Sequence, residues 1–166
     1  MAATYEPIAT TTLGSATATV TFSSIPGTYT DLRLIAKVKE TSTAGDSRMR
    51  FNGDTGTNYN GTRVLRSYST AVTGTINTTN GLWITQNSLN SLSWAMIEID
   101  INSYSSSIAY KTIFATNSNA SYDNQIPQVF NFTWRNTAVV TSLDFFNTST
   151  PYVIGSTFTL YGIKAA

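Results

Sequence analysis

Two carboxylates, Glu98 and Asp100, stand two residues apart in the segment AMIEIDIN, which has the alternating pattern of a strand. Side chains at positions i and i+2 of a strand project from the same face of a sheet. A retaining glycosidase could hold a general acid and a nucleophile about 5 Å apart in this way. The pair is therefore the arrangement in this sequence that could hydrolyse a glycan.

The same segment has a simpler structural interpretation, which we favour. Its intervening residues are apolar and would fill a core, namely Ala95, Ile97, Ile99 and Ile101. The acids would then face outward and pair with basic residues of a neighbouring strand, such as Arg33 and Lys37. Trp94 and Met96 share the acids' face, and large apolar side chains are unfavourable in water. This face is therefore a candidate contact with another subunit or with a second layer of the same domain.

The loop FNGDTGTNYNG contains oxygen-bearing side chains that could bind calcium, at Asn52, Asp54, Thr57 and Asn58. Calcium loops use several carboxylates at set spacing, and this loop has one. We therefore favour a hairpin loop in which glycine and asparagine supply positive φ. No metal site and no cofactor are predicted.

Aromatic side chains could instead form stacking platforms for sugars, and the tryptophans are Trp83, Trp94 and Trp134. Trp134 follows Phe130 and Phe132 on one face of a predicted strand, so it is interpreted more simply as core. None of the three is joined to an obvious cluster of acids and amides. Glycan binding therefore stays open as an alternative function.

The chain of 166 residues contains no His and no Cys. It therefore has no disulfide, no thiolate nucleophile, no imidazole base and no Cys/His zinc site. Thr, Ser and Asn together make up 62 residues, and charged residues are only 11% of the chain. A formal net charge of +1 argues against nucleic-acid binding, which needs clustered excess Lys and Arg. No apolar run is long enough to span a membrane, and the start MAATYEPIATTT has no features of a signal peptide.

Period-2 alternation of apolar and polar residues dominates the sequence and predicts many short strands. The candidate strands are TYEPIATT, SATATVTFSSI, DLRLIAKVKE, SRMRFN, TRVLRSY, GLWITQ, SLSWAMIEIDIN, SIAYKTIFAT, PQVFNFTW, VVTSLDFFN and STFTLYGIK. Turn-forming clusters separate them, and no window has a sustained helical period. The pattern predicts an all-β fold, an antiparallel jelly-roll-like β-sandwich of about ten strands in a single domain over residues 1–166, with a barrel less favoured.

Residues 1–12 precede the first clean amphipathic strand and are predicted to be an N-terminal arm or an edge strand. This segment, with Tyr5, Pro7 and Ile8, is our first choice for a contact with a larger assembly or with another subunit. Trp94 and Met96 are the second choice.

Three stretches resemble small virion proteins of tailed bacteriophages, including cyanophages. They are YEPIATTTLGSATATVTFSSIPGTYTDLRLIAKVK, RMRFNGDTGTNYNGTRVL and FTLYGIKAA, and FSSIPGTYTDLRL is the most specific part. The resemblance implies a β-sandwich on the phage particle, either a capsid decoration (cement) protein or a module of a tail or head fibre. It transfers no residue roles, because the matching segments look like strand and turn framework.

From the resemblance and the composition together, we expect a non-enzymatic decoration protein. It would be made in the host cytoplasm and would lie on the capsid exterior as a homotrimer that binds the major capsid protein, with residues 1–12 as the first choice for the contact with the capsid or between subunits. Few charges and no Cys suit a passive component that tolerates changes in salt. The alternative is a fibre or receptor-binding module that recognises host surface glycans.

Overall fold

The computed structural model describes residues 4–42, 45–67, 70–78, 80–85, 89, 91–118 and 128–164. Their elements are strands, and the structure has twelve of them in the described residues: β1 (Thr4–Thr12), β2 (Thr19–Phe22), β3 (Asp31–Val38), β4 (Ser47–Phe51), β5 (Tyr59–Ser67), β6 (Thr70–Thr78), β7 (Leu82–Trp83), β8 (Ala95–Asn102), β9 (Lys111–Ser118), β10 (Gln128–Trp134), β11 (Leu143–Asn147) and β12 (Thr157–Lys164). Within these ranges, no helix is long and apolar enough to cross a bilayer.

The strands form two antiparallel sheets. The large sheet has eight strands in the order β1-β12-β3-β8-β9-β10-β5-β6, and the small sheet has the order β2-β11-β4-β7. The prediction of an all-β antiparallel sandwich is confirmed, with more strands than the ten or so expected. The jelly-roll connectivity stays a prediction.

Alternation along each strand decides which side chains are buried, as the sequence predicted. In β3, Leu32, Leu34, Ala36 and Val38 are fully buried, and the residues between them face outward. In β8, Ala95, Ile97, Ile99 and Ile101 are buried in the same way. Buried residues of both sheets form one hydrophobic cluster, so the core lies between the sheets.

Aromatic rings join the two sheets across this core. Phe51 of β4 lies 5.2 Å from Trp134 of β10, and Phe145 of β11 lies 5.4 Å from Phe158 of β12, measured between ring centroids. Tyr152 lies 5.7 Å from Phe145 in the same cluster. Tilted rings at these distances stabilise the contact beyond the area that they bury. The interpretation of Trp134 as a core residue is confirmed.

β6 was not among the candidate strands of the sequence. Thr and Gly occupy many of its positions, so its apolar alternation is weak. The strand forms because its backbone pairs with β5 along the full length, from Ser67 opposite Thr70 to Tyr59 opposite Thr78. Backbone pairing has overridden a weak local pattern at this edge of the sheet.

We expect the contact between the sheets to carry a large share of the stability. Phe145→Ala removes a fully buried ring and should lower the free energy of unfolding by about 3 to 5 kcal/mol, because the cavity cannot collapse completely. Phe114→Ala, on the exposed side of β9, should change it by less than about 1 kcal/mol. Urea unfolding of the two variants measures the difference, and equal losses would contradict this account.

Candidate functional site

The uncovered side of the large sheet carries the candidate residues that the sequence put on β8. We call the outward-facing set Lys37, Lys39, Trp94, Met96 and Glu98 the Trp94 face. Trp94 is 39% exposed and Met96 is 45% exposed. The single chain therefore leaves both side chains accessible, and no second layer of the described residues covers them.

Two lysines hold the indole of Trp94. The ammonium groups of Lys37 and Lys39 lie 4.8 and 5.4 Å from the centroid of its ring. Each such contact at an exposed site contributes about 0.5 to 1 kcal/mol. Gly155 lies beside the indole edge, where an added Cβ would be 3.8 Å from Trp94. The indole therefore has a defined position on the sheet, although it is partly in water.

The N-terminal segment forms an edge strand of the large sheet. β1 pairs with β12 and has an irregular register between Pro7 and Ala9. Ile8, at this irregularity, is half-buried and packs against the hydrophobic core, and its predicted role in a contact stays a prediction. Pro7 is exposed, and it has no N–H to offer a further strand.

β1 is also held to its own chain by polar contacts. Glu6 accepts hydrogen bonds from Lys164 at 3.0 Å and from the Tyr29 hydroxyl at 3.2 Å. Tyr5 is half exposed and lies beside Arg33, whose guanidinium carbon is 5.4 Å from the ring centroid. The structure therefore does not place Tyr5 with Trp94, because Trp94 contacts Lys37 and Lys39 at the other end of β3.

The two candidate catalytic acids have different surroundings. Asp100 accepts two hydrogen bonds from Arg33, from Nε at 2.6 Å and from Nη2 at 2.7 Å, which confirms the predicted cross-strand pairing. This contact raises the pKa of Arg33. Glu98 is exposed on the same face. Both oxygens of Asp100 are engaged by Arg33, and this arrangement leaves it poorly suited to act as a nucleophile.

Asp54 serves as a structural anchor in its loop. Its carboxylate accepts hydrogen bonds from the indole of Trp134 at 2.7 Å, from the Asn58 amide at 2.9 Å and from the backbone N–H of Gly56 at 2.8 Å. Partial burial opposes ionisation, but these bonds outweigh it and lower the pKa of Asp54. In the part of the chain that the structure describes, no three acidic side chains come together as metal ligands.

The turn before Asp54 has the backbone that the sequence predicted. Asn52 has a φ of 51° and Gly53 has a φ of 67°, so the predicted positive φ is confirmed. The predicted hairpin is wrong, because the loop joins β4 of the small sheet to β5 of the large sheet. The side chain of Asn52 also accepts hydrogen bonds from the backbone N–H groups of Thr141 and Ser142. The oxygen atoms proposed for calcium are thus used within the fold at Asn52 and Asp54.

The three tryptophans do not form one platform for sugars. Trp134 is buried between the sheets, and Trp83 lies on β7 beside Arg48 and Arg63. Trp94 lies on the outer side of the large sheet. Each ring therefore has separate neighbours.

A buried carboxylate, Glu40, was missed by the sequence analysis. It accepts hydrogen bonds from the Asn147 amide at 2.5 Å and from the Thr150 hydroxyl at 2.9 Å, and so joins the end of β3 to the connection after β11. Burial raises the pKa of Glu40 to about 7. The signal was present, because Glu40 continues the inward series of Leu34, Ala36 and Val38.

Lys111 is a second buried charge that the sequence analysis missed. Its ammonium group donates hydrogen bonds to the carbonyls of Ser106 at 2.5 Å, Ala109 at 2.9 Å and Thr137 at 3.1 Å. Burial lowers the pKa of Lys111. The lysine thereby ties the connection between β8 and β9 to the segment that follows β10.

Comparison of the chain with protein-family models, with curated proteins and with solved structures found no match.

We expect Glu40 to make stability depend on pH. Its pKa in the folded chain, about 7, exceeds the ordinary value of 4.5, so the folded state binds a proton more tightly than the unfolded state. The free energy of unfolding should therefore fall by about 3 kcal/mol as the pH rises from 4.5 to about 7. The chain has no His, which would otherwise titrate over the same range.

Glu40→Gln should remove this slope, because an amide does not titrate. Asp31→Asn, which changes an acid outside the Trp94 face, is the matched control and should keep the wild-type slope, because the asparagine oxygen can still accept the hydrogen bond from the backbone N–H of Ser103. Urea unfolding at several pH values between about 5 and 8 measures the slope of the free energy of unfolding against pH. A Glu40→Gln chain that kept the full slope would show that another group is responsible.

Proposed function

We propose that this chain is a structural protein of a bacteriophage particle, a decoration protein that binds the major capsid protein on the capsid exterior and stabilises the head. The observation that carries the proposal is the Trp94 face, where Trp94 and Met96 are exposed on the outer side of the large sheet and two lysines lie over the indole. Exposed apolar side chains rimmed by polar groups are typical of protein contact surfaces. The resemblance also suggests a homotrimer, which would need a three-fold contact at a surface other than a two-fold one, and the N-terminal edge strand with Tyr5 and Pro7 is our first choice for it.

The resembling stretches have a framework role that agrees with the proposal. The ring of Tyr29, in FSSIPGTYTDLRL, packs on Gly162, in FTLYGIKAA, where an added Cβ would lie 2.3 Å from the ring. The Tyr29 N–H donates to the hydroxyl of Tyr104, which itself donates to the carbonyl of Pro26. Two distant stretches of the resemblance therefore depend on each other for packing. This supports a shared sandwich fold and assigns no binding residue.

The strand order supports the finer proposal of a jelly roll. In the small sheet, β11 lies between β2 and β4, so the strand late in the chain inserts between two early ones. Successive strands also cross repeatedly between the two sheets, as β2, β3 and β4 do. These are features of Greek-key connectivity, from which jelly rolls are built. In this interpretation β1-β12-β3-β8 and β2-β11-β4-β7 are the two four-stranded sheets of the jelly roll, and β9, β10 and the β5–β6 hairpin extend the large sheet beyond β8.

A glycan-binding fibre module has less support from the side chains. Stacking on a sugar requires an open aromatic face. Two ammonium groups lie over the ring of Trp94, and Trp134 is buried. The neutral pairing of Arg33 with Asp100 likewise suits a passive surface better than hydrolysis.

Particles of the virus that encodes the chain provide the test. Heads assembled without the chain should lose their DNA at a lower temperature than wild-type heads, and added purified chain should restore the wild-type temperature. Cryo-electron microscopy should then show repeated copies on the capsid exterior. Density confined to a tail fibre, together with specific binding on a glycan array, would favour the alternative.

A further inference from the structure

The charged side chains on the outer side of the large sheet divide into two groups. Arg33 and Asp100 neutralise each other through two hydrogen bonds. By contrast, the side chains of Lys37, Lys39 and Glu98 form no hydrogen bond or ion pair within the described ranges, and the two lysines lie over Trp94 instead. Basic and acidic side chains that make no ion pair within the described ranges therefore lie beside exposed Trp94 and Met96.

The positions of these charges follow from the strand register. Lys37 lies opposite Met96, and Ile35 lies opposite Glu98. Lys37 and Glu98 are therefore on neighbouring strands, in rows two residues apart, which is about 7 Å along the strand direction. A two-fold rotation about an axis that lies in the plane of the contact, midway between Lys37 and Glu98 and perpendicular to the line that joins them, would bring each of the two charges over its opposite.

We propose that the Trp94 face is a contact between copies of this chain, in which Lys37 of one copy pairs with Glu98 of its neighbour. A two-fold axis between the two rows forms this pair twice and buries Trp94 and Met96 of both copies. Such an interface is self-complementary, which is the property that a two-fold contact requires. Lys39 stays over Trp94 in this arrangement and shields the indole at the rim.

The charge pattern favours a second copy over other occupants. A purely acidic partner would suit the two lysines but would be repelled by Glu98. A sugar would need the face of Trp94, which the lysines cover. A second copy supplies the complementary sign at the matching distance because it carries the same two rows.

The contact concerns the chain alone, so it does not rest on the proposed role in a phage particle. A chain that self-associates through this face and is absent from virions would keep this inference and remove the proposed function. A chain that is found on capsids but stays monomeric in solution would keep the proposed function and remove this inference.

Sedimentation velocity over a range of concentrations measures the association directly. The wild-type chain should associate, and Lys37→Glu and Glu98→Lys should each weaken association about tenfold or more, because each variant opposes like charges at the contact. Arg135→Glu is the matched control and should associate as the wild type does. Arg135 is an exposed cation outside the Trp94 face, and it donates a hydrogen bond to the carbonyl of Thr57.

Mixing the two weakened variants tests the pairing itself. In a mixed pair, the Lys37→Glu chain contributes its new carboxylate at position 37 to the new ammonium group at position 98 of the Glu98→Lys chain. At the second contact, native Lys37 of the Glu98→Lys chain meets native Glu98 of the Lys37→Glu chain. Both contacts then join opposite charges, so the mixture should regain wild-type association. A three-membered ring of the same variants must contain one contact between like charges and would regain association only in part, so partial recovery would overturn the two-fold arrangement.

The double variant Lys37→Glu with Glu98→Lys tests whether the single variants lose association only because they misfold. It carries both changes in one chain and should associate like the wild type, with an unchanged circular dichroism spectrum. A monomeric wild-type chain, an equal loss in Arg135→Glu, or a mixture that stays dissociated would each overturn the proposal.

Discussion

The structure depends on the packing of a four-stranded sheet against an eight-stranded one. Phe145 and Phe158 meet near one side of this contact, and Phe51 and Trp134 meet across it elsewhere. A strand points alternate side chains to opposite faces, so the choice of inner face also decides every outer residue. The inward series of β3 and β8 therefore places Lys37, Met96 and Glu98 outward as a direct consequence of core packing.

Among the described residues, an acidic and a basic side chain are buried, and each is satisfied by hydrogen bonds rather than by an opposite charge. Glu40 accepts from Asn147 and Thr150, and Lys111 donates to three carbonyls. A buried charge without partners is costly, so these contacts offset a large desolvation penalty. The two groups join connections that lie far apart in the sequence, and they hold loops at both ends of the sandwich.

The charged side chains on the outer side of the large sheet are of two kinds, those that pair with each other and those that do not. Arg33 and Asp100 pair with each other in place, whereas Lys37 and Lys39 lie over Trp94 and Glu98 stays exposed. The chain has few charged residues, so each unneutralised one has a large influence on which surfaces approach it. A surface dominated by Thr, Ser and Asn elsewhere adds no strong repulsion. The specificity of any contact must then reside in a small group of side chains such as the Trp94 face.

The sequence by itself determined the strands with strong alternation, their buried faces and the chemistry that is impossible without His or Cys. It also indicated that the outward acids of β8 would pair with basic residues of a neighbouring strand, and the structure shows this pairing for Asp100 with Arg33. Only the tertiary structure decided that Ile8 packs against the edge of the core, that β6 forms, and that buried Glu40 and Lys111 find hydrogen-bond partners. Alternation is a local property that one strand carries alone. The neighbours, the register and the partners of a buried polar group depend on segments that meet only when the chain folds, so they could not be obtained from the pattern of any single segment.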